Sequence, residues 1–227
     1  MEITLVDEFT SVAEGEWGDF IFRLADTSYY PIILDHLRDT LYVDEPLNRL
    51  AGNSLAKQSE LDYLAIQFME ENLSFFAIHK PTNRVAGVRI MREMTREAKA
   101  PNMEAFQSLE LHKMIPFCLS IQEDCKVFDK LGVEEMVTFV TISVDREFRH
   151  QGLGTEMYRR SIALLKEKGY HAVDGCFTHP YARTIGERLG FVELGRAYVS
   201  QYEDANGVKV FPDAEPEDFV SLMALKF

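Results

Sequence analysis

The chain has 227 residues, 46% apolar and 27% charged, an ordinary globular composition that excludes disorder over most of its length. Lys and Arg total 24 against 37 Asp and Glu, a formal charge of −13. Such an acidic surface repels phosphate backbones and favours small cations, so no nucleic-acid partner is expected. No stretch of about 18 consecutive apolar residues occurs, so no membrane partner is expected either.

Met1 to Glu8 carries neither the basic start nor the apolar run of a secretory leader. The three cysteines, Cys118, Cys125 and Cys176, cannot all pair and suit a reducing compartment, so a cytoplasmic location is expected. Six scattered histidines form no Cys/His cluster at ligand spacing, and no metal is expected.

No repeat, low-complexity tract or Gly/Pro/Ser-rich linker divides the chain, so residues 1–227 read as one domain. Phe20 to Ala25 reads as a strand. Asp26 and Thr27 then offer caps for a helix through Leu34, Leu37 and Leu41. Lys57 to Leu73 has apolar residues at helical spacing (Leu61, Leu64, Ala65, Phe68). Ser74 to His79 is a strand, Pro81-Thr82-Asn83 a turn, and Val85 to Met91 the return strand of a hairpin. Glu93 to Gly132 is longer than a simple connection and holds a helix predicted over Met114 to Leu131. Met136 to Val144 is β-branched and strand-like. Leu153 to Lys168 is helical and ends at Gly169. His171 to Gly175 is a short strand, Arg183 to Leu189 a short helix, and Phe191–Glu203 and Asp218–Phe227 are two β-rich runs. Alternation in the middle of the chain implies a parallel βαβ unit, and the ends imply antiparallel strands. The sum is an α/β (α+β) fold: a central mixed β-sheet flanked by helices.

The most informative stretch joins the strand ending at Val144 to the helix starting near Leu153 through Arg149-His150-Gln151-Gly152-Leu153-Gly154-Thr155. Glycines let the backbone come close to a ligand, and the first helical turn offers free N–H groups and the positive end of the dipole. This is a phosphate- or pyrophosphate-binding turn, with Arg149 and His150 adding charge at the rim. The bare Arg-x-x-Gly-x-Gly pattern is short; its placement between a strand and a helix carries the reading. It is not a Walker A loop, because no Gly-Lys-Ser/Thr follows. It is not a full dinucleotide fingerprint, because Met157 stands where a third glycine belongs.

These residues resemble the GNAT superfamily of N-acetyltransferases. The resemblance rests on Val137–Val144, on Arg149 to Gly154 and the helix after them, and on Tyr181–Phe191, which ends in Glu187-Arg188-Leu189-Gly190-Phe191. Together these blocks cover about a quarter of the chain. A further block, Leu41-Tyr42-Val43-Asp44-Glu45-Pro46-Leu47-Asn48, resembles the Asp-Glu-Pro-Leu segment of invertebrate arylalkylamine N-acetyltransferases. The resemblance implies acetyl-CoA as cosubstrate, a small primary amine as acceptor, and direct attack in a ternary complex. It implies Glu45 as general base, directly or through water. It places the cofactor along Ile142, Ser143 and Val144, with the pyrophosphate on Gln151 to Thr155, and it adds His179 and Arg183 to the cofactor-binding set.

The chain departs from the pattern twice. Gly186 stands where many members have the tyrosine that protonates the thiolate, and Cys176 to Ala182 contains no serine. His179, Tyr181 and Cys176 are candidates for that acid by proximity. The alternatives to an arylalkylamine enzyme are a polyamine or protein N-acetyltransferase, or a non-catalytic acyl-CoA-binding module.

Overall fold

A computed structural model describes residues 9–52 and 58–227. The leader reading of residues 1–8 and the predicted helix start at Lys57 lie outside them. An eight-stranded mixed sheet runs from Gly15 to Lys226. Its strands are β1 (Gly15–Trp17), β2 (Phe20–Leu24), β3 (Phe75–His79), β4 (Arg84–Thr95), β5 (Glu135–Val144), β6 (Ala172–Phe177), β7 (Val192–Tyr198) and β8 (Phe219–Lys226). Their spatial order is β1-β2-β3-β4-β5-β6-β8-β7. Among the described strands, only β5 and β6 pair in parallel, across the helical crossover. The fold class read from the sequence is the one observed.

The helices are α1 (Tyr30–Asp39), α2 (Leu41–Asp44), α3 (Pro46–Ala51), α4 (Gln58–Met69), α5 (Leu109–Cys125), α6 (Val127–Leu131), α7 (Leu153–Glu167) and α8 (Pro180–Arg188). Helix α7 buries Leu153, Met157, Tyr158, Ser161, Leu164 and Leu165, one face at 3.6-residue spacing. It packs on one side of the sheet against Phe20, Phe22, Phe75, Ala77, Val137 and Phe139. The alternating partners Ile21, Phe76 and Ile78 face the other side, where α1 and α4 cover them. Strand β3 is apolar on both sides for this reason. On that second face α3, α5 and α6 cover β6 and β8 through Leu47, Phe117, Ile121 and Leu222. The sheet thus has one continuous core on the α7 side and two separate ones on the other.

Several predicted boundaries move. The helix predicted through Leu41 stops at Asp39, where the Thr40 hydroxyl donates back to the His36 carbonyl (2.6 Å), and a separate turn, α2, follows. The helix predicted from Met114 starts at Leu109, capped by Ser108, and runs through Pro116. It breaks at Lys126, which is left-handed (φ 48°). The last short helix starts at Pro180 rather than Arg183, since proline suits a first helical position. Strand β1 had no signal in the sequence. The long Glu93–Gly132 segment extends β4 to Thr95 and supplies α5 and α6.

The core on the α7 side contains a buried cation. The Arg89 guanidinium lies between Phe139 (3.7 Å to the centroid) and Tyr158 (4.4 Å), and its Nε donates to Ser161 Oγ (3.1 Å). Aromatic faces hold it in place of a carboxylate, and burial pushes its pKa down to about 10.

Candidate active site

Strands β5 and β6 pair only from Val137–Val173 to Phe139–Gly175. Beyond Phe139 they part. The β4 pairing of β5 skips Val140, a bulge that re-aims the strand. From there to Val144, β5 has a neighbour only on the β4 side. Asp145 N–H donates to the Ala86 carbonyl of β4 (2.9 Å). By alternation, Val144 and Ile142 turn their N–H groups toward the open gap, and Ser143 turns its own toward β4. The Ser143 hydroxyl also faces away from α7: it meets His36 Nε2 (3.1 Å) and Thr40 Oγ1 (2.6 Å). Burial pushes the His36 pKa down to about 4, so its ring is neutral at pH 7. Of the three β5 positions named from the sequence, Ile142 and Val144 therefore present backbone donors to the gap and Ser143 does not.

The turn after β5 delivers the start of α7 to the same gap. A short 3-10 turn (Arg146–Phe148) leads to His150 (φ 63°) and Gly152 (φ 87°). At Gly152 a side chain would be strained and its Cβ would stand 3.4 Å from Trp17. The first helical bond runs from Glu156 N–H to Gly152 O (3.1 Å), so the amides of Leu153, Gly154 and Thr155 have no acceptor in the helix. They and the positive end of a 15-residue helix fit a pyrophosphate. The Gln151 side chain is turned back onto the Glu147 carbonyl (3.1 Å).

Arg149 is placed differently from the rim position the sequence suggested. Its Nε donates to the Val144 carbonyl (2.9 Å) and its Nη2 to Asp44 (2.8 Å). Arg146 also binds Asp44, and hydrogen bonds from these two arginines hold the Asp44 carboxyl down to about 2. The phosphate turn is thereby tied to the segment that carries Glu45.

Glu45 separates α2 from α3 with extended backbone (φ −67°, ψ 126°) and caps α3, accepting from Asn48 N–H at 2.6 Å. Pro46 follows at the first helical position. Burial pushes the Glu45 pKa up, and hydrogen bonds from Asn48 N–H, the Thr178 hydroxyl and Leu47 N–H pull it partly back. Thr178 belongs to no motif. Its only signal is position: it follows β6 directly, on the alternating set Asp174, Cys176, Thr178. Asp174 on that set is buried, accepts from Thr138 Oγ1 (2.6 Å) and Gln122 Nε2 (2.8 Å), and is pushed up to about 6 by burial.

Beside Glu45 lies a cavity of about 280 Å³. Pro46, Leu47, Leu50, Val199 and Val220 form its apolar wall. Thr178, His179, Arg183, Glu217 and Asp218 supply its polar groups, and Phe219 carries the Arg183 guanidinium 4.4 Å above its ring. His179 caps α8 by accepting from Tyr181 N–H (3.3 Å) and stacks on Tyr181 (5.2 Å), which His150 meets edge-on (5.7 Å). Burial and the charges of Arg149 and Arg183 push the His179 pKa down.

Of the three candidate acids, His179 lines this cavity. Tyr181 is exposed, and Cys176 meets Cys118 of α5. At Gly186 a Cβ would stand 3.1 Å from Phe177, so that ring fills the space a tyrosine would need. Among the described residues, no group of three or more His, Cys, Asp or Glu side chains converges on a metal position. No described helix is long and apolar enough to cross a membrane.

Parted parallel strands, free amides at a helix start and a carboxylate beside a small cavity form an arrangement suited to acyl transfer. Residues 58–191 match the acetyltransferase (GNAT) family, and the chain belongs to that family of acetyl-CoA-dependent N-acetyltransferases. Solved structures share the fold. A mosquito arylalkylamine N-acetyltransferase-like 5b superposes with a TM-score of 0.85 at 16% identity, over 92% of this chain and 100% of its own. Arylalkylamine N-acetyltransferase 2 from Aedes aegypti gives 0.79 at 22%, over 92% and 99%. A Drosophila melanogaster polyamine N-acetyltransferase that forms N-acetylagmatine gives 0.81 at 17%, over 92% and 100%.

Proposed function

We propose that the enzyme acetylates a small arylalkylamine by direct attack in a ternary complex, with Glu45 as general base. The observation that carries this reading is the Glu45 carboxylate, its pKa raised by burial, beside a cavity walled by Pro46, Leu47 and Leu50. An alkylamine has a pKa of about 10 and reaches the site as a cation. Glu45 takes its proton, directly or through a water, and a carboxylate whose pKa lies above the ordinary range is the better base for it. Acetyl-CoA supplies the activated acyl group. The amides of Leu153, Gly154 and Thr155 hold its pyrophosphate, with His150, Gln151, Gly152 and His179 around them. The N–H groups of Ile142 and Val144 face the gap where oxyanion charge develops and cost no reorganisation there. Free thiols at all three cysteines support a reducing, cytoplasmic setting.

A second reading, acetylation of a polyamine, draws on Glu217 and Asp218 at the cavity. Thiol release from acetyl-CoA in the presence of tryptamine, dopamine, spermidine or a lysine peptide separates the two. The proposal expects the arylalkylamines to be turned over with the highest kcat/KM. Preference for spermidine or the peptide, or no release with any amine, contradicts it.

A further inference from the structure

Among the described residues, Arg183 is the one arginine or lysine on the cavity wall, and no carboxylate stands within ion-pair distance of it. It sits in the first turn of α8, the positive end of the helix dipole, where a cation is disfavoured. It makes no ion pair among the described residues, in a chain with an excess of 13 negative charges. Its guanidinium rests on Phe219, and a second arginine, Arg196, lies 4.5 Å from the same ring. Arg196 is already paired with Glu193 (2.8 Å), whereas Arg183 is not. Burial and Arg196 push the Arg183 pKa down, and the more distant charges of Glu193 and Glu187 pull it only partly back. The two carboxylates of the cavity form no ion pair with it. Asp218 is used by its own turn, accepting from Glu215 N–H (2.9 Å), and Glu217 is exposed, where a charge acts weakly.

Resting on the acetyl-transfer reading above, we propose that Arg183 is a specificity-determining residue that excludes acceptors carrying a second positive charge. The acceptor would then bring one cation, the reacting ammonium, on an uncharged arm. Like charges in a small, partly desolvated cavity repel strongly, and selectivity built on repulsion needs no new contact with the favoured substrate.

The test compares kcat/KM for tryptamine and agmatine in the wild type, Arg183→Met, Arg183→Gln and Arg183→Lys. Methionine keeps an apolar stem over Phe219 and protects the fold. Lysine keeps the charge. The wild type should favour tryptamine. The Met and Gln variants should raise the agmatine-to-tryptamine ratio by about tenfold or more, a change of about 1.4 kcal/mol, and Lys should hold it near the wild-type value. An unmoved ratio in an enzyme that still acetylates tryptamine overturns the inference alone. So does a rise in KM for acetyl-CoA that is equal with both amines, which would make Arg183 a cofactor residue. A wild type that acetylates neither amine overturns the acetyl-transfer reading, and the inference with it.

Discussion

At the scale of single residues, two buried titratable groups act in opposite directions. His36 falls from 6.5 to about 4 in the fold, so between those pH values the unfolded chain holds a proton that the native one does not. Its contribution to stability therefore drops on acidification through that window, by about 3 kcal/mol. Asp174 rises from 3.8 to about 6, so between those values the native chain holds the extra proton. Its contribution grows on acidification, by about the same amount. The two slopes nearly cancel between about pH 6 and 4. Asp174→Asn should uncover the His36 slope, with the melting temperature falling from pH 6.5 toward 4; the Gln122 amide can flip to pair with the new one. His36→Gln should uncover the opposite slope, a gain on acidification. Thermal melts of both variants across this range check the signs. Parallel curves for the two variants contradict the assignment. Glu45, as the proposed general base, bears on activity instead. Its raised pKa should give kcat/KM an acid limb above the ordinary value of 4.5, and that limb should vanish in a glutamine variant.

At the scale of elements, the strand–turn–helix unit from β5 to α7 was legible because β-branched patterning, the two glycines and the amphipathic face of α7 all agree. The acidic cap at Glu45 was found only through its resemblance to a family segment. Local patterning cannot announce that Asp44 and Arg149, 105 positions apart, meet, nor that β6 brings Thr178 to Glu45. The helices predicted to start at Met114 and Arg183 start at Leu109 and Pro180 instead; at the second, proline marks both turns and first helical turns, and only packing decides between them. Two substitutions test the element geometry. Gly152→Ala should weaken acetyl-CoA binding and lower stability by about 1 kcal/mol or more, since an alanine at φ 87° is strained in the left-handed region. Tight binding and an unchanged melting temperature contradict the cradle. Gly186→Tyr installs the tyrosine that the family resemblance implies at this position, but Phe177 occupies its space. It should cost about 1–3 kcal/mol of stability by overpacking and give no rise in turnover; a faster enzyme would show that the position is open to a catalytic acid.

At the scale of the whole molecule, the sheet carries one continuous core on the α7 side and two on the other, and the gap between β5 and β6 faces the seam between those two. The cofactor turn lies on the continuous side of that gap, and Glu45 enters from the divided side on the α2–α3 link. The formal charge of −13 acts over the same distances. It opposes an anionic cofactor, which the local field at the start of α7 offsets, and it draws a cationic amine inward. Raising the salt concentration from about 50 to 300 mM shortens the Debye length. The amine KM should therefore rise severalfold, and an unchanged KM would leave the charge a solubility feature.

The most direct measurement of the central claim is steady-state turnover of Glu45→Gln beside a titration of its acetyl-CoA affinity. Loss of a positioned general base should lower kcat by about 10²- to 10³-fold, while the dissociation constant for acetyl-CoA stays within about twofold, because the cradle on α7 is untouched. Turnover equal to the wild type would remove Glu45 from the mechanism.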